Sequence, residues 1–228
     1  MFYGYGGIIW QGTLVTIQLS LLSMLVAFVL GLIAAIAKLF GSKILVWFAD
    51  IYTTIIRGIP DLVLMLVIFF GLQIGLNHVT EYFGMAQINI DPFSAGVITI
   101  GFIYGAYFTE TFRGAFLTVS KGQIEAGTAY GFTPRQVFQK IIFPQMMRFA
   151  LPGLSNNWLI TMKATALVSI IGLQDVVKVS QDAGKGTYQF FYFTVIAGAI
   201  YLAFTTLSNI VFWWLGRVYS TGKKKAEL

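Results

Sequence analysis

The chain has 228 residues, of which 57% are hydrophobic and only 11% charged, with a mean hydropathy of +0.77. Soluble domains carry about 25% charged residues, so this is the composition of an integral membrane protein. The absence of cysteine excludes disulfides, thiol chemistry and thiolate-bound metal, and one histidine, His78, makes no metal site alone; the formal charge of +6 is most useful as a guide to topology.

A membrane-crossing helix needs roughly 20 mostly apolar residues. Residues 14–37 supply the first, and the 12 residues at the start lack the basic segment of a cleavable signal peptide. Lys38 and Lys43 mark the boundary that follows. The apolar run 44–76 is too long for a single crossing, because at about 1.5 Å per residue it would reach on the order of 50 Å. Arg57-Gly58-Ile59-Pro60-Asp61 breaks it into a cytoplasmic pre-helix, 44–57, and a second span, 61–76. Residues 77–92 form a polar loop without Lys or Arg, and 93–112 the third span. A basic segment, 113–148, precedes a fourth span at 151–173, made unusually polar by Asn156, Asn157 and Lys163. A mixed loop, 174–189, leads to the fifth span, 190–215, and to a tail holding Lys223, Lys224 and Lys225.

These five spans make a single all-α membrane domain over 1–228. Lys38, Lys43, Arg113, Lys121, Arg135, Lys140, Arg148, Arg217 and the tail lysines fall on one side of it; Lys178 and Lys185 are the basic residues of the other. The positive-inside rule then puts the N-terminus outside and the C-terminus in the cytoplasm. Gly71-x-x-x-Gly75 and Gly101-x-x-x-Gly105 let backbones approach closely, within the chain or in a dimer.

Residues 120–144 are a moderately polar stretch between strongly apolar ones. Ser120 with Gln123 reads as a capping box, and Thr133, Pro134 and Gln136 as a second with proline at the first helical position. Gly131 lies between them, where a helix ends in a left-handed residue. Two short helices joined by a tight turn are expected, the second carrying Val137, Phe138, Ile141 and Ile142 on one face until Pro144 interrupts it. A DNA-binding helix-turn-helix is excluded by the apolar spans on both sides, which tether the segment to a bilayer.

With its spacing, Glu125-Ala126-Gly127, then Gly131, then Ile141-Ile142-Phe143-Pro144, the segment resembles the signature loop of ATP-binding-cassette importer permeases. Gly127 stands where that pattern has alanine, and Phe143 where it has leucine. The likeness continues through Arg57-Gly58-Ile59-Pro60, Tyr107-x-x-Glu110-x-x-Arg113-Gly114, Gly122-Gln123, Gln145-x-x-Arg148, Pro152, Asn156-Asn157 and Lys163. It covers nearly the whole chain and is strongest to polar amino-acid permeases of the histidine/lysine/arginine/ornithine class. It implies a MetI-like type I permease fold in a Gram-negative inner membrane. It further implies a cytoplasmic coupling helix with Gly122, Glu125, Ala126, Gly131 and Pro144 at the ATPase contact. The implied partners are a second, different permease subunit, two ATPase subunits that carry the ATP and Mg, and a periplasmic amino-acid-binding protein.

The chain has no ATP-binding motif of its own, since Gly184-Lys185-Gly186-Thr187 lacks the required spacing, and no catalytic triad. The intramembrane polar residues Arg57, Asp61, Glu110, Asn156, Asn157 and Lys163 are candidates for a substrate pathway. Each has a structural alternative. Arg57 can pair with Asp61, Glu110 with Arg113 or Lys163, and the asparagines can bond across helices. Two other classes of function fit less well: an ion-coupled secondary transporter, against which five spans without an inverted repeat argue, and a membrane scaffold, which leaves the placed charges unexplained.

Overall fold

In a computed structural model, which describes residues 2–220, the chain is helical throughout and has no strand among those residues. Four helices are individually long and apolar enough to cross a membrane, and five if one bent pair counts as a crossing. The tail lysines 223–225 lie outside the described residues.

Helix α1, Gly6–Phe40, extends beyond the expected span at both ends. Apart from Ile9 and Leu19, its buried face is small or polar: Gly12, Thr13, Thr16, Ser20, Ser23, Ala27, Gly31 and Ala35. Leu21, Leu22, Leu25, Val29, Ile33 and Ile36 point outward instead. That inversion suits lipid, where an outward leucine costs nothing and small inward residues allow tight helix packing. The hydroxyls of Thr13, Thr16 and Ser20 donate to carbonyls four residues earlier, at 2.7–2.9 Å, so they enter the core with their hydrogen bonds satisfied. Gly41, extended, ends the helix with its N–H on the Ala37 carbonyl at 2.9 Å.

Helix α2, Lys43–Gly58, buries Ala49, Thr53 and Ile56 and leaves Trp47, Phe48, Ile51 and Ile55 exposed. It stops at Ile59, which is extended because a residue before proline is driven out of the helical region. Pro60 then caps α3, Asp61–Tyr82, which outruns the expected span by six residues. Gln73 clamps the loop after α3, donating to the Ile88 carbonyl at 2.7 Å and accepting from the Ile90 N–H at 2.8 Å.

Helix α4, Pro92–Leu117, is the centre of the bundle, capped by Asp91 with Pro92 in its first turn. Phe108 is fully buried on it, within a core of Leu19, Ile100, Ile103, Phe112, Leu154 and Val168. Gly101 and Gly105 face α1 and α2: a Cβ on Gly101 would lie 2.5 Å from Val26, and one on Gly105 2.7 Å from the Tyr52 hydroxyl. This glycine pair serves internal packing. Gly71 and Gly75 on α3 meet nothing within 4 Å and leave an open face.

After α4 come α5, Lys121–Ala129, and α6, Pro134–Val137. Pro144 does not interrupt the chain. A π turn, Phe138–Ile142, leads directly into α7, Phe143–Ala164. The Phe143 N–H reaches back five residues to the Phe138 carbonyl, and the widened turn absorbs a proline that has no N–H to give. Beyond α7 a 3-10 stretch, Thr165–Ile171, ends at Gly172 (φ 98°). The expected loop 174–189 is mostly a helix, α8, Val176–Thr187, bent 52° from the preceding axis. Hydropathy hides α8 because only Val176, Val179, Ser180, Ala183 and Gly184 are buried along it. Asp175, fully buried, caps it by accepting the Lys178 N–H at 2.9 Å, and the Val176 N–H bonds Thr16 of α1 at 3.0 Å. Helix α9, Phe190–Ser220, closes the bundle on its outer side.

Candidate functional site

Two regions hold the residues singled out by sequence. In the first, α5 ends in a complete Schellman motif. The Phe132 N–H bonds the Gly127 carbonyl at 3.1 Å, the Gly131 N–H bonds the Thr128 carbonyl at 2.9 Å, and Gly131 sits at φ 81°. Glycine is needed there because a Cβ in that conformation crowds the next carbonyl. The capping box at Thr133 and Gln136 forms in both directions. The one expected at Ser120 does not: its side chain makes no cap bond, and the Gln123 N–H goes to the Ser120 carbonyl at 3.1 Å. The first turn of α5 is thereby closed by backbone alone.

Gly127 is the buried residue of α5, and a Cβ there would collide with the Ile141 side chain, which fits its replacement of alanine in the motif. Lys140 sits 5.4 Å over the Phe132 ring and braces the turn from the other side. Gly122, Glu125 and Ala126 are exposed. Ala126 lines an open groove of about 460 Å³ with Gln123, Tyr130, Phe132, Ile141 and Gln145. Tyr130, 86% exposed, stands beside it. The segment thus presents a firm two-helix platform whose outer surface has no partner among the described residues. Pro144 lies apart from that surface, at the start of α7.

The second region is a polar strip where the end of α1 meets α2, α3 and α4. Lys38, with a side chain only 8% exposed, donates to Glu110 at 2.7 Å and to Thr53 at 2.6 Å, and pairs with Asp50 at 2.8 Å. Glu110 also holds Arg113, at 2.9 Å. Lys163 therefore does not pair with Glu110; it is exposed on another face of α7. Asn157 is buried and donates to Thr111 of α4 at 3.0 Å, whereas Asn156 points outward on the same side as Lys163. Two separate surfaces result from residues that the sequence presents as one set.

Arg57 does not pair with Asp61 either. The extended Ile59 between α2 and α3 removes the helical geometry that brings residues four apart together. Asp61 instead accepts the Tyr104 hydroxyl at 2.7 Å, and the Arg57 guanidinium lies 5.5 Å over the Tyr107 ring. The Tyr104 and Tyr107 rings are 5.5 Å apart. An open polar cavity of about 480 Å³, lined by Lys38, Thr53, Thr54, Arg57, Gly58, Tyr107 and Glu110, runs beside them. A carboxylate and a guanidinium held apart at a helix break can contact opposite charges on one small zwitterion.

Sequence reasoning missed Lys38 as a buried ion partner, reading it as a boundary marker, and gave Tyr104 no role. Tyr107, Glu110 and Arg113 stand three apart within one motif and Arg57 opens another, but nothing in the chain signals that Lys38 turns inward. Among the described residues no group of acidic, histidine or cysteine side chains could hold a metal.

Comparison with known proteins bears on the fold and the family. Residues 27–220 match the family described as binding-protein-dependent transport system inner membrane component. The chain is 59% identical, over its full length and that of the relative, to the histidine/lysine/arginine/ornithine transport system permease protein HisQ of Escherichia coli K12. It is 37% identical to the octopine transport system permease protein OccQ of Rhizobium radiobacter, over 92% of this chain and 89% of that one. Among solved structures, an amino acid ABC transporter crystallised with histidines superposes with a TM-score of 0.78 at 30% identity, covering 93% of this chain and 94% of the other. The MetNI methionine transporter shares the fold at a TM-score of 0.69 and 16% identity, over 93% of this chain and 96% of its own. By family match and by full-length identity, the chain belongs to the binding-protein-dependent inner-membrane permeases of ATP-binding-cassette importers, as a multi-pass transport component.

Proposed function

We propose that this chain forms half of the membrane pathway of an importer for basic and polar L-amino acids of the histidine, lysine, arginine and ornithine class. The full-length likeness to HisQ is the observation that carries this reading. The partners proposed are a second, non-identical permease subunit, two ATPase subunits that bind ATP and Mg, and a periplasmic amino-acid-binding protein. The single domain lies with its N-terminus in the periplasm and its C-terminus in the cytoplasm, the orientation favoured by its basic residues.

In this reading the exposed face of α5, with Gly122, Glu125 and Ala126, docks into an ATPase cleft, Gly131 fixes its exit angle, and Pro144 joins it to α7. Asp61 selects a cationic side chain, because a carboxylate at a helix break lowers the cost of bringing a positive charge out of water. Arg57 stands where it can meet a substrate carboxylate, and Asn156 and Lys163 offer polar contacts on the outward face of α7. Asn157 and Glu110 hold the helices in place through Thr111 and Lys38.

The test is transport into sealed vesicles containing this chain with its partner subunits and the binding protein. Uptake of labelled arginine, lysine or histidine should require ATP on the ATPase side and persist when ion gradients are collapsed. Uptake that follows an ion gradient without ATP would refute the proposal.

A further inference from the structure

We propose that the groove between the start of α7 and the end of α9 binds an anionic phospholipid of the inner leaflet by its phosphodiester. The groove encloses about 440 Å³ and is lined by Arg148, Pro152, Ser155, Asn209, Trp213 and Gly216, with Phe149, Leu151 and Phe212 on its apolar side. Its volume follows from its sequence. Gly216 leaves one wall without a side chain, and Ser155 and Asn209 are short. Pro152, lacking an N–H, leaves the Arg148 carbonyl at the same wall without its usual helical donor.

Charge identifies the occupant. Arg148 is half-buried and makes no ion pair or side-chain hydrogen bond with any described residue. A guanidinium so placed needs an acceptor, and two parallel N–H donors fit phosphate oxygens well. Trp213, 57% exposed, carries the Arg217 guanidinium 3.7 Å over its ring, which keeps a second cation at the rim. Tryptophan and arginine together at the cytoplasmic ends of two crossing helices mark headgroup level, and basic pockets between such helices take anionic headgroups. Phe149 and Phe212 lie where an acyl chain leaving that headgroup would run.

The complex of this chain with its partner subunits, in phosphatidylcholine nanodiscs doped with phosphatidylglycerol, tests the assignment by native mass spectrometry. One phosphatidylglycerol should be retained per copy, with about fivefold preference over phosphatidylcholine for each basic side chain engaged. Arg148→Gln should abolish the preference. Gly216→Leu, which fills the groove without altering charge, should lower retention of the lipid, and Lys43→Gln, remote from the groove, should change nothing. Equal retention of both lipids, or an unchanged preference in Arg148→Gln, would overturn the proposal. So would efficient short-range crosslinking from Phe149→Cys, a unique cysteine in this chain, to another subunit, because the groove would then be a protein interface.

Discussion

Removing Lys38 tests the energetic centre of the polar strip. Its side chain is 8% exposed, against 20% for Glu110 and 58% for Asp50. Lys38→Met leaves Glu110 with Arg113 as its remaining ion partner, and leaves the Thr53 hydroxyl without its donor. An acceptor stripped of its partner in such a setting costs about 1–3 kcal/mol. The Asp50 pair is largely solvated and screened, so Asp50→Asn should cost no more than about 1 kcal/mol. For a chain of this length each kcal/mol moves the midpoint by about 2–4 °C. Lys38→Met should therefore lower the thermal midpoint of the detergent-solubilised complex by on the order of 5 °C, and Asp50→Asn by clearly less. A cycle through Lys38→Met and Glu110→Gln should show the two sites coupled by about 1–2 kcal/mol. Strict additivity in that cycle, or an Asp50→Asn loss equal to that of Lys38→Met, would refute the ranking by burial.

Gly131→Val puts a β-branched residue at φ 81° with nothing near its Cβ to clash, so the cost is backbone strain of about 1–2 kcal/mol; membrane insertion should survive while ATP-driven uptake falls, and Gly131→Asn should be milder. Glu125→Lys, on an exposed site, should leave thermal stability unchanged and abolish ATP-driven uptake; normal uptake would remove Glu125 from the docking surface. Asp61→Asn should depress arginine and lysine uptake far more than uptake of neutral histidine at high pH, and an equal loss for all three would reduce Asp61 to a structural partner of Tyr104. A cytoplasm-active reporter fused after Gly131 should be active and one near Glu81 silent; activity at Glu81 would reverse the orientation. Asp91, fully solvated, accepts the backbone N–H and then the hydroxyl of Ser94, which hold its carboxyl below the usual aspartate range. Its contribution to capping α4 is complete above the unfolded pKa and fades as pH falls through the lower folded one, so Asp91→Asn should narrow the stability difference between neutral and strongly acidic conditions.

The parts that were legible in the sequence are those set by local rules. The positive φ at Gly131, the capping box at Thr133 and Gln136, and the break before Pro60 each follow from the chemistry of a few adjacent residues. The failures share a different cause. Ser120 and Gln123 have the side chains for a box, yet the backbone closes that turn first. Pro144 looks like a stop because removing one N–H ends an ideal α-helix, but a π turn finds another donor one residue earlier. Helix α8 looks like a loop in the sequence because few of its residues face inward and most of those are small. The partners of Glu110 and Asp61 depend on which helices pack together: Lys38 is 72 positions from Glu110, and Tyr104 is 43 from Asp61. No local pattern spans such distances.

The continuity between α6 and α7 makes the proposed docking segment one end of an unbroken helical path. From Pro134 to Ala164 the chain is helical without a break, through the π turn and past Pro152, over a path of about 46 Å. A tilt of about 10° about its α6 end would carry the far end sideways by roughly 8 Å, more than the width of an amino-acid side chain. The far end reaches the 3-10 stretch, Gly172 and the 52° bend into α8, so the displacement arrives where the path changes direction. On the orientation proposed above, a small tilt at the α6 end would become a larger displacement at the α8 end.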